Sequence, residues 1–159
     1  MAEPHEDAEH SADHPEQVSR LWTRVVPMFS LLQTQLDRTL TVRHGIGVGP
    51  LMALGVLVRE RPDSVAVGGV ARRLGVSDST ASRMLERLER SGWTVRVAWP
   101  CDQRTTRIAA TDAGLALWTG ASRTLDRELD LAFRRLRSDE KYTHVVARLC
   151  RTGDEPPAR

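Results

Sequence analysis

Cysteine is scarce: Cys101 and Cys150 are the only two among 159 residues. Two are too few for a disulfide scaffold, and these lie too far apart for a zinc ribbon, so a reducing cytoplasm is the expected location and no structural metal is expected. No apolar run approaches the ~18 residues that a membrane-spanning helix needs. The N-terminus lacks a basic stretch followed by an apolar one, so secretion is not expected either. A single lysine, Lys141, excludes a P-loop, and GxSxG, HExxH and CxxC motifs are all missing. Nothing in the motifs supports an enzyme, and no cofactor is implied. No internal repeat is present, and the length suits one domain.

What the chain does have is arginine, unevenly placed. The formal charge of +2 divides into a segment of residues 1–19 with six acids and no base, at −6, and a remainder with 23 bases against 15 acids, at +8. All the bases but Lys141 are arginine, which forms the better fork for phosphates and guanine edges. A GC-rich genome gives the same bias. A basic body with an acidic tail makes a polyanion one candidate partner.

Residues 1–15 hold Pro4 and Pro15 and almost nothing apolar except alanine, so they cannot offset their ordering entropy and read as a disordered acidic tail. His5, His10 and His14 in this tail read as solvated rather than as metal ligands. From Val18 a helical seam follows: Val18, Trp22, Val25, Phe29, Leu32, Leu36 and Leu40, in steps of three and four. Pro27 makes this either one kinked helix or two helices. The unbroken apolar phase favours the kink. Gly45 to Gly49 end the seam, and Pro50 is placed at the first position of the next helix, whose stripe is Leu51, Leu54, Leu57 and Val58. Arg61-Pro62 stops it.

Val70, Ala71 and Leu74 then mark a short helix, and Ser77 is a good N-cap for another that buries Ala81, Met84, Leu85 and Leu88. Ser91-Gly92 closes that helix. Two short helices with a glycine turn between them form a helix-turn-helix. Trp93, Val95, Val97 and Trp99 alternate with Thr94, Arg96 and Ala98, the pattern of a half-buried strand. Pro100 to Gln103 turn the chain, and Thr105 to Ala110 return as a second strand, giving the winged form. Thr111 caps a long helix with Leu115, Trp118, Leu125, Leu129, Ala132 and Leu136 on one side. Ser138 caps another with Tyr142, Val145, Val146 and Leu149. The fold class expected is mainly α with a small β wing.

The second helix of the pair is polar on its outer side, with Ser77, Ser79, Thr80, Ser82, Arg83, Arg87 and Arg90. Hydroxyls and arginines of this kind suit phosphates and base edges in a major groove, although an ordinary solvated face with a Glu86–Arg90 pair has the same composition. In the wing, Arg96, Arg104 and Arg107 suit a narrow minor groove. Asp102 would repel DNA by itself, and it makes sense as the group that holds an arginine in one pose.

The run Leu74 to Trp93 (LGVSDSTASRMLERLERSGW), continued by Arg96, Asp102, Arg104 and Thr111-Asp112-Ala113-Gly114, resembles the MarR family of winged helix-turn-helix transcriptional regulators. The resemblance implies a recognition helix at about 77–91, with Arg83 as its arginine and Asp102 and Arg104 as the wing pair. It also implies a homodimer that reads a pseudo-palindromic operator in double-stranded DNA, acting as a repressor whose binding is relieved by a small-molecule effector. On that basis 16–151 is one domain, with 16–44 and 112–151 as dimerisation helices and 48–111 as the winged helix-turn-helix, and 152–159 is a frayed tail. The chain departs from the family at Ala66 and Gly69, where a threonine cap and a glutamate are usual, so the first short helix is expected to start late or fray. The alternative is a winged-helix module that contacts protein rather than DNA.

For the effector, Trp22, Arg24, His44 and Trp118 are candidate contacts, each of which also fits plain core or surface. Cys101 is a candidate redox group beside Arg96 and Arg104, opposed by Asp102 and with an inert thiol as the simpler reading. Cys150 reads as structural.

Overall fold

A computed structural model describes residues 14–98, 107–140 and 142–143. The chain divides into two compact units, one of residues 34–130 and one of residues 1–33 with 131–159. The first helix, α1 (His14–His44), and the last, α5 (Asp112–Ser138), each contribute to both. Pro27 lies inside α1, so the seam is one helix rather than two.

The unit of residues 34–130 is a winged helix. After α1 come α2 (Val48–Arg59), β1 (Val65–Ala66), α3 (Val67–Leu74), α4 (Asp78–Arg90), β2 (Thr94–Val97) and β3 (Arg107–Ala110). The three strands form an antiparallel sheet in the order β1-β3-β2. Leu51, Leu54 and Leu57 of α2 are fully buried, as read from their spacing, and with Leu40, Ile46, Val70, Leu85 and Leu88 they form the core. Each such side chain contributes about 1.5–3 kcal/mol on leaving water. α2 packs on both α3 and α4, and α4 packs on β2.

Three local expectations need correction. Pro50 is the third residue of α2, not the first, because the helix starts at Val48. Proline is tolerated there since the first four helical N–H groups have no partner within the helix. Asp37 of α1 satisfies one of them, its Oδ1 accepting from the Val48 amide at 2.7 Å. Second, α3 does not start late: it follows Ala66 directly, with no side-chain cap. The pairing of Val65 with Ile108 and of Ala66 with Arg107 fixes the chain at that point. A Cβ on Gly69 would come within 3.1 Å of Val65 Cγ1, so the glycine lets α3 close on β1. Third, the apolar residues of β2 do not face the core. Thr94 is buried, while Val95 and Val97 are exposed. Cross-strand partners share a sheet face, so Thr94, Arg96, Ile108 and Ala110 lie on one side and Val95, Val97, Ala109 and Arg107 on the other.

The turn between α3 and α4 is made by Gly75, whose φ of 65° is a left-handed value that a glycine adopts without strain. Thr111 starts α5 as expected, its Oγ1 accepting from the Gly114 amide at 3.0 Å and donating to the Gly92 carbonyl at 2.8 Å. In the other unit Met28 and Tyr142 are buried together with Phe133 and Leu136 against them. The Ser138 hydroxyl donates back to the Arg134 carbonyl, and the helix it was expected to cap lies mostly outside the described residues. The Asp139 carbonyl accepts from the amides of Tyr142 and Thr143. Val145, Val146, Leu149 and Cys150 lie outside the described residues, as do His5 and His10. Among the described residues no single helix is long and apolar enough to cross a membrane.

Candidate nucleic-acid interface

α4 carries two distinct stripes. Helical spacing aligns Ser79, Arg83, Arg87 and Arg90 along one of them, and all four are exposed. Arg83 and Arg87 have no ion pair among the described residues. Arg90 Nε donates to the Glu86 carbonyl oxygen at 3.4 Å, so the i, i+4 contact goes to the backbone rather than to the Glu86 carboxylate. The second stripe, Ser82, Glu86 and Glu89, turns toward the sheet. Ser82 and Glu86 line a small cavity of about 100 Å³ with Arg96 and Ile108.

Ser77 does not offer a free hydroxyl. Its Oγ accepts from the Thr80 amide at 3.2 Å and lies 3.0 Å from Ser79 Oγ and 2.9 Å from Thr80 Oγ1. The cap fixes where α4 starts, and with it the phase of the arginine stripe.

The wing arginines are fastened at their bases. Arg96 Nε donates to both carboxylate oxygens of Glu89, at 3.1 and 2.8 Å. That bond, and then the Glu89 charge, hold the Arg96 guanidinium above its ordinary pKa. Arg107 Nε donates to Ser64 Oγ at 2.9 Å, and its Nη2 donates to the Ser64 carbonyl. Arg107 therefore braces the chain leading into β1, on the sheet face away from Arg96. Asp102, Arg104 and Cys101, the remaining wing candidates, lie outside the described residues.

The four candidate effector contacts fall in different units. Trp22 and Arg24 are both exposed on α1 in one unit. In the other, His44 Nε2 is 2.8 Å from Thr124 Oγ1, while Trp118 lies against Gly55 and under the Arg59 guanidinium, 5.7 Å from its ring centroid. These contacts are enough to explain His44 and Trp118 as packing residues. Glu89 and Ser64 were not singled out in the sequence, because each meets its arginine only once the sheet and α4 are assembled.

A helix-turn-helix with an exposed arginine stripe on its second helix and a three-stranded wing defines the winged helix-turn-helix class. Residues 44–105 match the sequence model of the MarR family. The chain is 31% identical over 94 residues to the HTH-type transcriptional regulator PecS of Dickeya dadantii, a match spanning 58% of this chain and 55% of that protein. Through this segment the chain resembles the MarR family, and it spans about half the length of that curated relative. The fold is shared more widely. Sco3205, a MarR family transcriptional regulator from Streptomyces coelicolor solved in complex with DNA, aligns over 87% of this chain and 92% of its own, with a TM-score of 0.69 and 23% identity. The MepR–DNA complex of S. aureus aligns over 82% and 95%, with a TM-score of 0.66 and 22% identity.

Proposed function

We propose that the protein is a homodimeric DNA-binding transcriptional regulator, acting as a repressor on a pseudo-palindromic operator and released by a small-molecule effector. The observation that carries the DNA reading is the exposed stripe of Ser79, Arg83, Arg87 and Arg90 on the second helix of the helix-turn-helix. Guanidinium groups without ion pairs can reach phosphates and guanine edges at no cost in broken bonds. Thr80 would add a hydroxyl contact at the start of the helix, Ser82, expected beside it, lies on the stripe toward the sheet, and Arg96 with Arg107 would set the base of the wing. Asp102 and Arg104 enter this reading by family resemblance, as the pair at its tip.

Dimerisation is supported by α1. Trp22, Val26 and Phe29 follow one another at i, i+4 and i+7, and are 67%, 41% and 60% exposed in the single chain. An apolar row of this kind normally marks a contact surface, and a dimer would place two recognition helices on half-sites about one helical turn apart.

The test is a mobility-shift titration with the DNA flanking the protein's own gene, comparing wild type with Arg83→Ala and Arg104→Ala. Wild type is expected to bind, and each variant to lose affinity while sedimenting as a dimer. Affinity should also fall steeply with salt, the slope easing by about one for each phosphate contact removed. A dimer that binds no flanking DNA at low salt would reject the DNA reading and leave a protein-interaction module. A monomer would reject the homodimer. Release of bound DNA by a candidate effector, with the dimer retained, is the expected sign of effector control.

A further inference from the structure

The sheet face opposite the one that carries Arg96 holds two adjoining depressions. One, of about 390 Å³, lies among Glu60, Ser64, Gly69, Arg72, Arg73 and Arg107. The other, of about 370 Å³, shares Glu60, Ser64 and Arg107 and is completed by Asp63, Val97 and Ala109. The Arg107–Ser64 link stands between them. Volumes of this size suit metabolite-sized ligands.

The lining of the first depression is rich in cations. Three arginines, Arg72, Arg73 and Arg107, line it with one glutamate. Arg73 Nη2 is paired with Glu60 Oε1 at 2.8 Å. Arg107 is held by bonds to Ser64 through Nε and Nη2, among other contacts, and these fix its plane. Arg72 is exposed and has no ion pair among the described residues. Gly69 has no side chain to fill the space. One guanidinium fixed in orientation, one free and one shared with a carboxylate form a fork for an oxyanion. Ser64 and Glu60 add polar partners for neighbouring hydroxyl groups.

The geometry points to a binding site in this cleft for a small hydroxylated oxyanion, a carboxylate or phosphate monoester of metabolite size. Arg72 binds the charged group, the fixed positive charge of Arg107 lies beside it, and the Glu60–Arg73 pair borders its hydroxylated end. The site involves none of the arginines of α4 and stands independently of DNA binding.

The experiment is calorimetric titration of the full-length protein, without DNA, using ribose 5-phosphate and citrate as probes. One saturable site per chain is expected for at least one of them. Which probe binds more tightly distinguishes a phosphate from a carboxylate ligand. Arg72→Gln should weaken that binding by about tenfold. Glu60→Gln removes the opposing carboxylate and frees Arg73, so it should strengthen binding by about threefold. Arg72 is exposed and Glu60 is half-buried, so neither change threatens the fold, and circular dichroism would check this. No saturable binding of either probe up to ~10 mM would overturn the site. Binding that neither variant alters would identify an adventitious ion only. If Arg72→Gln weakened DNA binding while neither probe bound, Arg72 would be a DNA-backbone contact and the proposal would fail, with the DNA reading intact.

Discussion

Glu89 on α4 and Arg96 on β2 form a two-oxygen contact through a single nitrogen, with Nε donating at 2.8 and 3.1 Å. Both side chains lie toward solvent, 32% and 53% exposed, so the pair matters more for orientation than for stability. Binding through Nε leaves the two terminal nitrogens of Arg96 with no bond among the described residues. Glu89 thereby sets the direction in which the wing presents a cation.

Glu89→Gln should lower DNA affinity by about threefold to tenfold with no change in the unfolding midpoint. Arg96→Ala should lose at least as much, and the double variant no more than Arg96→Ala alone. Fluorescence-anisotropy titrations at fixed salt measure all three. Higher affinity in Glu89→Gln would show that the carboxylate competes with DNA rather than aiming the arginine. The raised pKa of Arg96 keeps its charge in place below the ordinary arginine value, and the charge is lost only as pH climbs past the raised one. No pH dependence from Arg96 is therefore expected near neutrality.

Ser77→Ala separates helix capping from direct DNA contact. The Ser77 hydroxyl accepts from the Thr80 amide, and removing it should cost about 1 kcal/mol of stability. Ser77→Asn retains an accepting oxygen and should restore most of that stability. If the residue acts through the cap, the asparagine variant also recovers DNA affinity once both proteins are fully folded. Recovery of stability without affinity would instead mark the hydroxyl as a DNA contact.

What could be read from the sequence was local. The Ser77 cap, the buried faces of α2 and α4 and the Thr111 cap each rest on residues three or four apart, where helical geometry alone decides the neighbour. The helix-turn-helix and its arginine stripe follow from those. Contacts across distant parts of the chain were not legible. Asp37 caps α2 from another helix, Glu89 meets Arg96 across a turn, and Ser64 meets Arg107 from 43 residues away. β1 has only two residues, too few for any period to show. The alternation in β2 was real, but a pattern of period two does not say which face is covered. The edge position of β2, with its inner face on α4, put Thr94 inside and Val95 out.

Gly114→Ala tests how closely α5 approaches the end of α4. A Cβ at this position would collide with the Trp93 carbonyl oxygen and lie 3.2 Å from Leu54 Cδ1. The carbonyl also accepts from the Thr111 amide at 3.1 Å, so it cannot retreat without breaking that bond. Overpacking against backbone should cost about 2–3 kcal/mol, read from urea denaturation. Gly68→Ala, where the nearest atom is Asp78 Oδ1 at 3.8 Å, is the matched control and should change stability far less.

Thr94→Val is expected to stabilise the protein. Thr94 is 3% exposed, and its Oγ1 is a buried polar atom with no hydrogen-bond partner among the described residues. Valine has the same shape and replaces the hydroxyl with a methyl group, removing the cost of holding an unpaired polar atom away from water. A gain of about 1 kcal/mol follows from that cost. β2 also favours a β-branched apolar residue at an inward position. Thr94→Ala leaves the orphan hydroxyl out but opens a space beside Ala110, its cross-strand partner, and should be less stable than Thr94→Val by about 2 kcal/mol, which puts it below wild type. Urea midpoints in the order valine, threonine, alanine support an unpaired hydroxyl. A valine variant less stable than wild type would mean that Thr94 Oγ1 has a partner in solution, such as a buried water, and that the inner face of β2 is wetter than its packing suggests.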